Sequence, residues 1–274
     1  MNINKPLVSI IVPCYNAQKY IINTLLSVKN QTYQNWECLV INDGSTDNSL
    51  QHIQEFTKKN EKFSFLSQEN KGLSTTRNTG IEKSKGDYLF FLDSDDIMAE
   101  NCLELLVKEL SNDNWDIIVG KTSAMKNNTI QHILDHPKIK NWKINNRLDA
   151  LKYAIENSLI PVAQNRLYKN CFLKETNLKF QKNLLHEDEL WFFETNFYAK
   201  KICYIDNITY EYKTDNPDSI INNIKDKNVL DILKIINLIY NNYYTDSNVN
   251  KDRNIVGYYI LYLIKNLINR LIEC

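Results

Sequence analysis

The chain has 274 residues and a mass of 32.2 kDa, a size that fits one large domain or two unequal halves. Hydrophobic residues make up 43% of it and charged residues 24%, an ordinary globular composition that argues against a disordered protein. Lysine plus arginine equals aspartate plus glutamate at 33 each. The formal net charge is therefore zero, and no nucleic-acid partner is expected.

Cysteine spacing and apolar runs indicate the compartment. The six cysteines are widely scattered, with no C-x-x-C pair, which favours reduced thiols over a disulfide framework or a zinc site. The longest apolar run near the C-terminus, residues 255–264, is much shorter than the ~20 residues of a membrane span. No cleavable signal segment is evident at residues 1–6. We expect a cytoplasmic protein, soluble or peripheral at the inner face of the cell membrane.

The first 120 residues alternate between strand and helix patterns. Alternation at this spacing indicates right-handed βαβ units. We therefore predict an α/β fold, with a mostly parallel central sheet flanked by helices. Strands are predicted at 7–13, 37–41, 63–66, 88–92 and 116–120, and helices at 20–30, 50–59, 74–83 and 101–110.

The rest of the chain is less regular. Residues 121–146 are polar, rich in asparagine and lysine and weakly patterned, which predicts an excursion from the domain or a linker. A helix over 147–158 follows, and the stretch to residue 220 mixes short strands with a helix beginning near residue 188. Apolar stripes predict two final helices, at 229–240 and 255–272. We expect an α/β half (1–120), a second half of the same domain (121–220) and a helical C-terminal extension (221–274).

Glycine is scarce, and its positions are informative. Only six glycines occur, and four of them (Gly44, Gly72, Gly80 and Gly86) fall between residues 44 and 86. A chain so poor in glycine is expected to keep it where a positive φ or a close backbone approach requires it. This stretch is therefore the first place to look for a site.

Polar loops follow the first four predicted strands, at residues 14–16, 42–47, 68–72 and 93–96. Ligands of open α/β sheets bind outside the carboxyl ends of the strands. Each loop taken alone is equally well explained as a turn or a helix cap. Four of them at one sheet edge predict a binding site.

The pair Asp93 and Asp95 is the most specific of these features. Two carboxylates just beyond a buried strand suit Mg²⁺ or Mn²⁺, which take few protein carboxylates and complete their shell with phosphate and water. An acidic cap on the helix at 101–110 is the alternative interpretation. Neither G-x-x-x-x-G-K-[ST] nor G-x-G-x-x-G is present, which excludes the usual P-loop ATPases and Rossmann dehydrogenases.

Taken in order, the loops resemble those of the family 2 glycosyltransferases, which have the GT-A fold. The resemblance covers about residues 6–110. Beyond them it is limited to single motifs, chiefly at residues 186–188 and 210–220. One departure is Asn42, where many members carry aspartate. The matching segments are VSIIVPCYN (8–16), NDGSTD (42–47), NKG (70–72) through RNTG (77–80), and FLDSDD (91–96).

The resemblance implies a nucleotide-sugar site in the first half, with a UDP-sugar as the expected donor. Pro13, Tyr15 and Asp43 would surround the nucleotide base, with the Asp43 carboxylate accepting from a ring N–H. Arg77 would reach the nucleotide or its diphosphate, and Asp93 the ribose. The implied donor residues are Pro13, Tyr15, Asp43, Asn70, Gly72, Arg77, Asp93 and Ser94, with Asp95 as the ligand of Mn²⁺ or Mg²⁺.

The resemblance also implies a catalytic base, Asp188. The leaving group would be a metal-bound diphosphate, so one base that deprotonates an acceptor hydroxyl suffices, and direct attack would invert the anomeric centre. From local sequence alone, Asp188 and Glu189 are equally good first-turn acids of a helix. The residues expected to support the base or position the acceptor are Glu187, His186, Trp191 and Lys213.

Several of these residues have a second interpretation. His186 would touch phosphate or metal, or make a structural hydrogen bond. Trp191 would stack on a sugar or belong to the core, and Lys213 would close over the diphosphate. The sequence does not decide whether Ala163, Gln164 and Asn165 face the acceptor.

Two features stand apart from the motifs. His132 and His136 have the spacing of a metal pair but lie in a polar segment that reads as a surface loop. The apolar face of the last helix fits packing against the domain, a homodimer surface or peripheral membrane contact. It contains Ile255, Tyr259, Tyr262, Leu263 and Leu267.

The expected function is inverting, metal-dependent transfer of a sugar from a nucleotide-sugar to a bacterial surface glycan, including lipid-linked acceptors. A non-catalytic sugar-nucleotide or glycan-binding module on the same fold is the alternative. A nucleotidyltransferase normally has a glycine-rich, basic phosphate loop, and residues 13–16 are not one.

Overall fold

A computed structural model of the chain describes residues 5–126, 129–134, 142–144, 149–157, 159–214, 227–246 and 252–272. Its strands are β1 (Val8–Cys14), β2 (Trp36–Asp43), β3 (Phe63–Gln68), β4 (Tyr88–Phe91), β5 (Ile97–Met98), β6 (Ile117–Lys126), β7 (Thr129–Leu134), β8 (Trp142–Ile144), β9 (Arg166–Lys169) and β10 (Ile202–Lys213). Its helices are α1 (Ile21–Lys29), α2 (Ser49–Thr57), α3 (Leu73–Lys83), α4 (Cys102–Lys108), α5 (Asp149–Glu156), α6 (Asn170–Glu175), α7 (Glu187–Tyr198), α8 (Lys227–Ile239) and α9 (Arg253–Ile272).

These strands form one mixed sheet in the order β3-β2-β1-β4-β9-β6-β10-β5, with β7 beside β6 and β8 beside β10. Strands β1 to β4 are parallel to one another. Strand β9 runs antiparallel between β4 and β6, and β6 and β10 are again parallel. A central sheet flanked by helices confirms the predicted α/β class.

Alternating side chains of β1 enter two different cores. Ile10 and Val12 pack on one face of the sheet, in a cluster that includes Leu25 of α1. Ile11 packs on the other face, in a cluster that includes Phe193 of α7 and Tyr259 of α9. Because both faces of the sheet are covered at these strands, β1 and β4 are buried along their whole length and are mostly apolar.

Gly80 allows α3 to approach β1 closely. A Cβ atom at this position would overlap the side chain of Ile11, so no larger residue fits without displacement. Gly120 on β6 is constrained in the same way by the side chain of Thr209 on β10. These contacts fix α3 and β6, both of which contribute residues to the cleft described below.

The prediction of a linker over residues 121–146 is wrong for much of that stretch. Residues 121–126 continue β6, and β7 and β8 follow within it. Strand β7 is paired on β6 only and leaves Ile130 and His132 exposed, so its polar composition is that of an exposed strand. His136 lies outside the described residues, and the boundary placed at residue 120 falls inside β6.

The predicted apolar face of the last helix lies inside the protein. Tyr259, Leu263 and Leu267 are buried, and the Tyr259 ring centroid is 5.1 Å from that of Phe193 on α7. This face is therefore not available for a dimer or a membrane. Within the part of the chain that the structure describes, no helix has the length and apolarity needed to cross a bilayer.

Candidate active site

A cleft of about 1650 Å³ lies at the carboxyl ends of β1, β2 and β4. Strand β1 lies between β2 and β4, so the strand order of the sheet reverses at β1. A crevice opens at the carboxyl ends of the strands at such a reversal. All the predicted site residues except Trp191 and Lys213 line this cleft. They are Pro13, Tyr15, Asp43, Asn70, Gly72, Arg77, Asp93, Ser94, Asp95, His186, Glu187 and Asp188.

Asp43 fixes the loop between β3 and α3. Its Oδ1 accepts hydrogen bonds from Lys71 N at 2.9 Å and Gln68 Nε2 at 2.7 Å, and its Oδ2 accepts one from Gly72 N at 2.9 Å. Gly72 has a φ of +81°, which permits this turn. Tyr15 stands half-exposed at the same end of the cleft. Contact of Asp43 or Tyr15 with a nucleotide base stays a prediction.

Arg77 lies at the centre of the acidic residues. It is 1% exposed, and its Nη1 donates to Glu187 Oε1 and to Asp188 Oδ1, each at 2.8 Å. Its Nη2 donates to Asp93 Oδ1 at 3.0 Å. One planar guanidinium thus holds three carboxylates from two separate parts of the chain. A contact between Arg77 and a diphosphate stays a prediction.

Asp188 combines burial with access to the cleft. Burial raises the pKa of this carboxyl to about 7, and Glu187 and Asp93 act in the same direction, while the charges of Arg77 and Arg166 oppose them. The side chain keeps 21% exposure and lines the cleft. A carboxylate with this pKa is a stronger base near neutral pH than an ordinary aspartate.

The three acids after β4 have different surroundings. Asp93 pairs with Arg77, and Asp95 is partly exposed in the cleft. Asp96 is buried, and it accepts hydrogen bonds from Tyr210 Oη at 2.7 Å and from Lys213 N at 2.9 Å. Burial, together with Asp95 and Asp93, raises the pKa of Asp96 well above its usual range. Asp96 therefore fixes this loop to β10, a role that the sequence did not suggest.

The structure contradicts the acceptor-contacting role of Trp191. Its ring is 1% exposed and stacks on Phe180 with centroids 4.0 Å apart, and its Nε1 donates to Tyr168 Oη at 3.0 Å. Trp191 belongs to the core because the start of α7 presents its acids, not its aromatic residues, to the cleft. Lys213 is also absent from the cleft lining, and its Nζ lies 3.6 Å from Glu211 Oε2.

His186 turns the chain into α7. It has a φ of +64°, in the left-handed region that non-glycine residues seldom adopt, and its Nε2 lies 3.1 Å from Asn228 Oδ1. The structural hydrogen bond is thus present. The turn places Glu187, Asp188 and Glu189 in the first turn of α7, where the helix dipole favours negative charge.

The cleft fits a hard divalent cation that shares its ligands with a substrate. Among the residues described, no group of three or more His, Cys, Asp or Glu side chains could hold a metal by itself. The Asp95 carboxylate does line the cleft. Mg²⁺ and Mn²⁺ suit such a site, because they need one or two carboxylates and take the rest from phosphates and water.

The sequence missed Arg166. This β9 residue is 6% exposed and lines the cleft, and its Nη1 donates to the carbonyl oxygens of Val162 and Gln164. Of the three residues left open, Gln164 and Asn165 line the cleft, and Ala163 does not. A single arginine in a short strand carries no motif that would have identified it.

Replacing Arg77 by methionine is expected to lower the free energy of unfolding by about 3–5 kcal/mol at mildly alkaline pH, because three buried or partly buried carboxylates lose their counter-charge. Burial already raises the pKa of Asp188 to about 7, and without Arg77 this folded-state pKa should rise further above the unfolded value. The loss relative to the wild type should therefore grow as the pH rises through about 7 and shrink as the pH falls. Urea unfolding at several pH values measures it.

Lys179→Met is the matched control, because it removes an exposed pair with Glu82 at 3.3 Å. That variant should lose at most about 1 kcal/mol. An Arg77→Met deficit that equals the control, or that does not change with pH, contradicts the central role of Arg77.

Comparison with known proteins identifies the family of this chain. The family model described as glycosyl transferase family 2 matches residues 9–173. EpsH of Bacillus subtilis is 30% identical over 211 residues, which cover 76% of this chain and 61% of EpsH. The Escherichia coli UDP-Glc:alpha-D-GlcNAc-diphosphoundecaprenol beta-1,3-glucosyltransferase WfgD is 39% identical over 124 residues, 45% of this chain and 49% of WfgD. The chain spans less than two thirds of either relative.

The fold has solved counterparts. The structure of S. aureus TarS in complex with UDP-GlcNAc matches 93% of this chain and 72% of its own with a TM-score of 0.77, at 20% sequence identity. This likeness concerns the fold, which is GT-A-like. Because the family model matches more than half of the chain, the protein belongs to glycosyl transferase family 2.

Proposed function

We propose that this protein is an inverting, metal-dependent glycosyltransferase that moves a sugar from a UDP-sugar to a hydroxyl of a bacterial surface glycan. The observation that carries the proposal is the placement of Asp188. Its carboxyl has a pKa near 7, lines the cleft and shares the Arg77 guanidinium with Asp93, which follows β4. A base is thereby held next to the polar loops at which a donor would bind.

In the proposed reaction Asp188 accepts the proton of the acceptor hydroxyl at a carboxylate oxygen. Arg77 orients that carboxylate through its hydrogen bond to Oδ1. Glu187 shares the same Nη1 atom, and its negative charge helps to keep Asp188 basic. The activated oxygen attacks the anomeric carbon directly, so an α-linked donor gives a β-linked product.

The donor is proposed to lie over the loops that follow β1, β2 and β3. Asp43 orders residues 71 and 72 before any ligand arrives, so a bound nucleotide need not order that backbone itself. The full name of WfgD specifies UDP-Glc, and TarS was crystallised in complex with UDP-GlcNAc. Both relatives support a UDP-sugar for this chain.

Asp95 is proposed to hold Mn²⁺ or Mg²⁺, which when bound neutralises charge on the departing diphosphate. The two partly exposed carboxylates, Asp93 and Asp95, would have different roles. Asp93 is paired with Arg77, and Asp95, which lines the cleft, would hold the metal. No general acid is required, because a diphosphate leaves more readily than a sugar alkoxide.

Asp188→Asn is expected to reduce transfer by about 10²–10⁴-fold, because the amide cannot accept the hydroxyl proton. UDP binding should persist, since the change leaves the donor loops intact. Product formation from a UDP-sugar and calorimetric titration with UDP measure the two effects.

Glu194→Gln is the matched control for this variant. Glu194 lies on the same helix and burial raises its pKa to about 7 as well, but it hydrogen-bonds to Tyr243 Oη and does not line the cleft. The control should keep its activity. Equal losses in both variants would show that only the helix had been disturbed, and full activity in Asp188→Asn would remove Asp188 as the base.

The pH dependence of transfer should report the Asp188 carboxyl. Only its deprotonated form is a base, so log kcat/KM is expected to rise with a slope of one below about pH 7 and to level off above it. An ordinary aspartate would place this limb near pH 4. Steady-state rates between about pH 5 and 9 measure it, and a profile without a limb in this range contradicts the assignment.

UDP should raise the melting temperature in a metal-dependent way. A ligand at 100 times its Kd stabilises the native state by about 2.7 kcal/mol, and Mn²⁺ should strengthen the effect of UDP. Asp95→Asn is expected to remove the manganese dependence and to leave a weaker response to UDP alone. GDP and dTDP serve as the competing nucleotides, and a larger response to either one overturns the choice of UDP.

A further inference from the structure

Helix α8 is joined by hydrogen bonds to the turn that comes directly before α7. Asp231 Oδ2 accepts a hydrogen bond from Leu185 N at 2.9 Å, and Asn228 Oδ1 lies 3.1 Å from His186 Nε2. Leu185 and His186 are consecutive, and α7 begins at the next residue. Two side chains of α8 therefore hold two successive residues of one turn.

The backbone of this turn is of a kind that surrounding contacts have to hold. Asn183 has a φ of +59° and His186 a φ of +64°, so two non-glycine residues close together in the chain lie in the left-handed region. Such residues are strained, and they persist where the structure around them fixes their conformation. Because His186 is the last residue before α7, its φ sets the direction in which that helix leaves the turn.

The two side chains of α8 are buried. Asp231 is 0% exposed and Asn228 is 7% exposed, so water does not replace their partners in the turn. Burial works against the charge of Asp231, but the hydrogen bonds from Lys234 and from Leu185 N outweigh it and lower the pKa of this carboxyl. Leu185 N thus donates to an ionised carboxylate, which is a stronger acceptor than a neutral group.

Asp188 is consequently held at two levels. Arg77, on α3, donates to its Oδ1 at 2.8 Å and fixes the carboxyl group itself. Helix α8 fixes the turn from which the backbone of Asp188 continues. Asn228 and Val229 of α8 line the same cleft as Asp188, so the beginning of α8 lies at the site and not only behind it.

We propose that Asn228 and Asp231 are positioning residues of the reaction, which hold the turn at residues 185 and 186 so that Asp188 meets the acceptor hydroxyl. The inference rests on the proposed function, because it takes Asp188 as the base. It gives α8 a part in catalysis beyond the packing of a C-terminal extension. A misplacement of about 1 Å in a reacting group can cost about 10²-fold in rate, so small movements of this turn should be measurable.

The double variant Asn228→Ala/Asp231→Ala removes both contacts with the turn. Its activity is followed as UDP release from UDP-Glc or UDP-GlcNAc, with water as the acceptor: the water oxygen attacks the anomeric carbon, its proton passes to Asp188, and UDP leaves. We expect kcat to fall about 10–100-fold. The KM for the UDP-sugar and the calorimetric Kd of UDP should stay within about two-fold, because the donor loops are unchanged. Hydrogen exchange at the Leu185 amide should become at least about ten-fold faster.

Two single variants are the controls. Tyr243→Phe removes the hydrogen bond from Tyr243 Oη to Glu194 Oε1 at 2.7 Å, which joins the chain after α8 to a later part of the same helix α7. This variant should lower the melting temperature but keep the kcat and the Leu185 exchange of the wild type. Asp231→Asn retains a side-chain oxygen that can accept from Leu185 N, so it should keep most of the wild-type kcat.

The outcomes distinguish this inference from the proposed function. If the double variant keeps the wild-type kcat, or loses no more than Tyr243→Phe, the inference is wrong. A higher KM at unchanged kcat also contradicts it, because the contacts would then serve donor binding. Full activity of Asp188→Asn counts instead against the proposed function.

Two further measurements keep the inference open to refutation. Should the wild type release no UDP, the Leu185 amide decides: faster exchange in the double variant supports the inference, and unchanged exchange overturns it. Should the double variant not fold, Asn228→Ala alone should still lower kcat by at least about three-fold. An unchanged kcat in that single variant would overturn the inference.

Discussion

One buried arginine organises the active site. Arg77 is almost completely excluded from solvent, yet its guanidinium hydrogen-bonds to Asp93, Glu187 and Asp188. A single positive charge faces three carboxylates, so the group as a whole keeps excess negative charge in a buried place. Burial, helped by the neighbouring charges of Glu187 and Asp93, keeps the pKa of Asp188 high even though a cation is in contact with it. Asp188 is a stronger base than an ordinary aspartate because it is buried and only partly neutralised.

Helix α3, which carries Arg77, is also bonded to the segment that precedes α7. Asn78, next to Arg77, donates from Nδ2 to the Phe180 carbonyl and accepts from the Phe180 N–H at Oδ1, each at 2.8 Å. The Phe180 ring in turn lies 5.2 Å from the Arg77 guanidinium and stacks on Trp191 of α7. The close packing of Gly80 on Ile11 holds α3 against β1. Three residues within one four-residue segment of α3 thus position the base relative to the donor loops.

The donor side of this site was predictable from local sequence patterns and Asp188 from the family resemblance, whereas Arg166 was not predictable from either. Residues at the ends of parallel strands meet at one edge whatever the rest of the fold does, so Asp43 and Asp93 could be placed in the site from local patterns. Arg166 and Gln164 reach the cleft only because β9 runs antiparallel between β4 and β6. That pairing depends on contacts between distant residues, which leave no local periodicity.

The composition of residues 121–146 led to a wrong prediction, because the described part of this segment is polar through its exposure to solvent and not because it is a flexible linker. The stretch after residue 120 is rich in lysine and asparagine, yet it contains most of β6 and all of β7. Trp191 shows that nearness to a catalytic motif does not make an aromatic residue a sugar platform. It stands three positions after Asp188, on the same side of α7 but one turn further along the helix. There it packs against Phe180 and Tyr168 in the core and does not reach the cleft.

The two buried arginines, Arg77 and Arg166, differ in the groups that accept their hydrogen bonds. Both terminal nitrogens of Arg77 donate hydrogen bonds to carboxylates of the protein, so Arg77 sets the charge and position of the catalytic acids. Arg166 is held by carbonyl oxygens, which fix its position without neutralising it. The net charge of the whole chain is zero, but the charged side chains of the cleft have different roles. Arg77 therefore sets the positions of the catalytic acids, whereas Arg166 contributes a positive charge to the lining of the cleft.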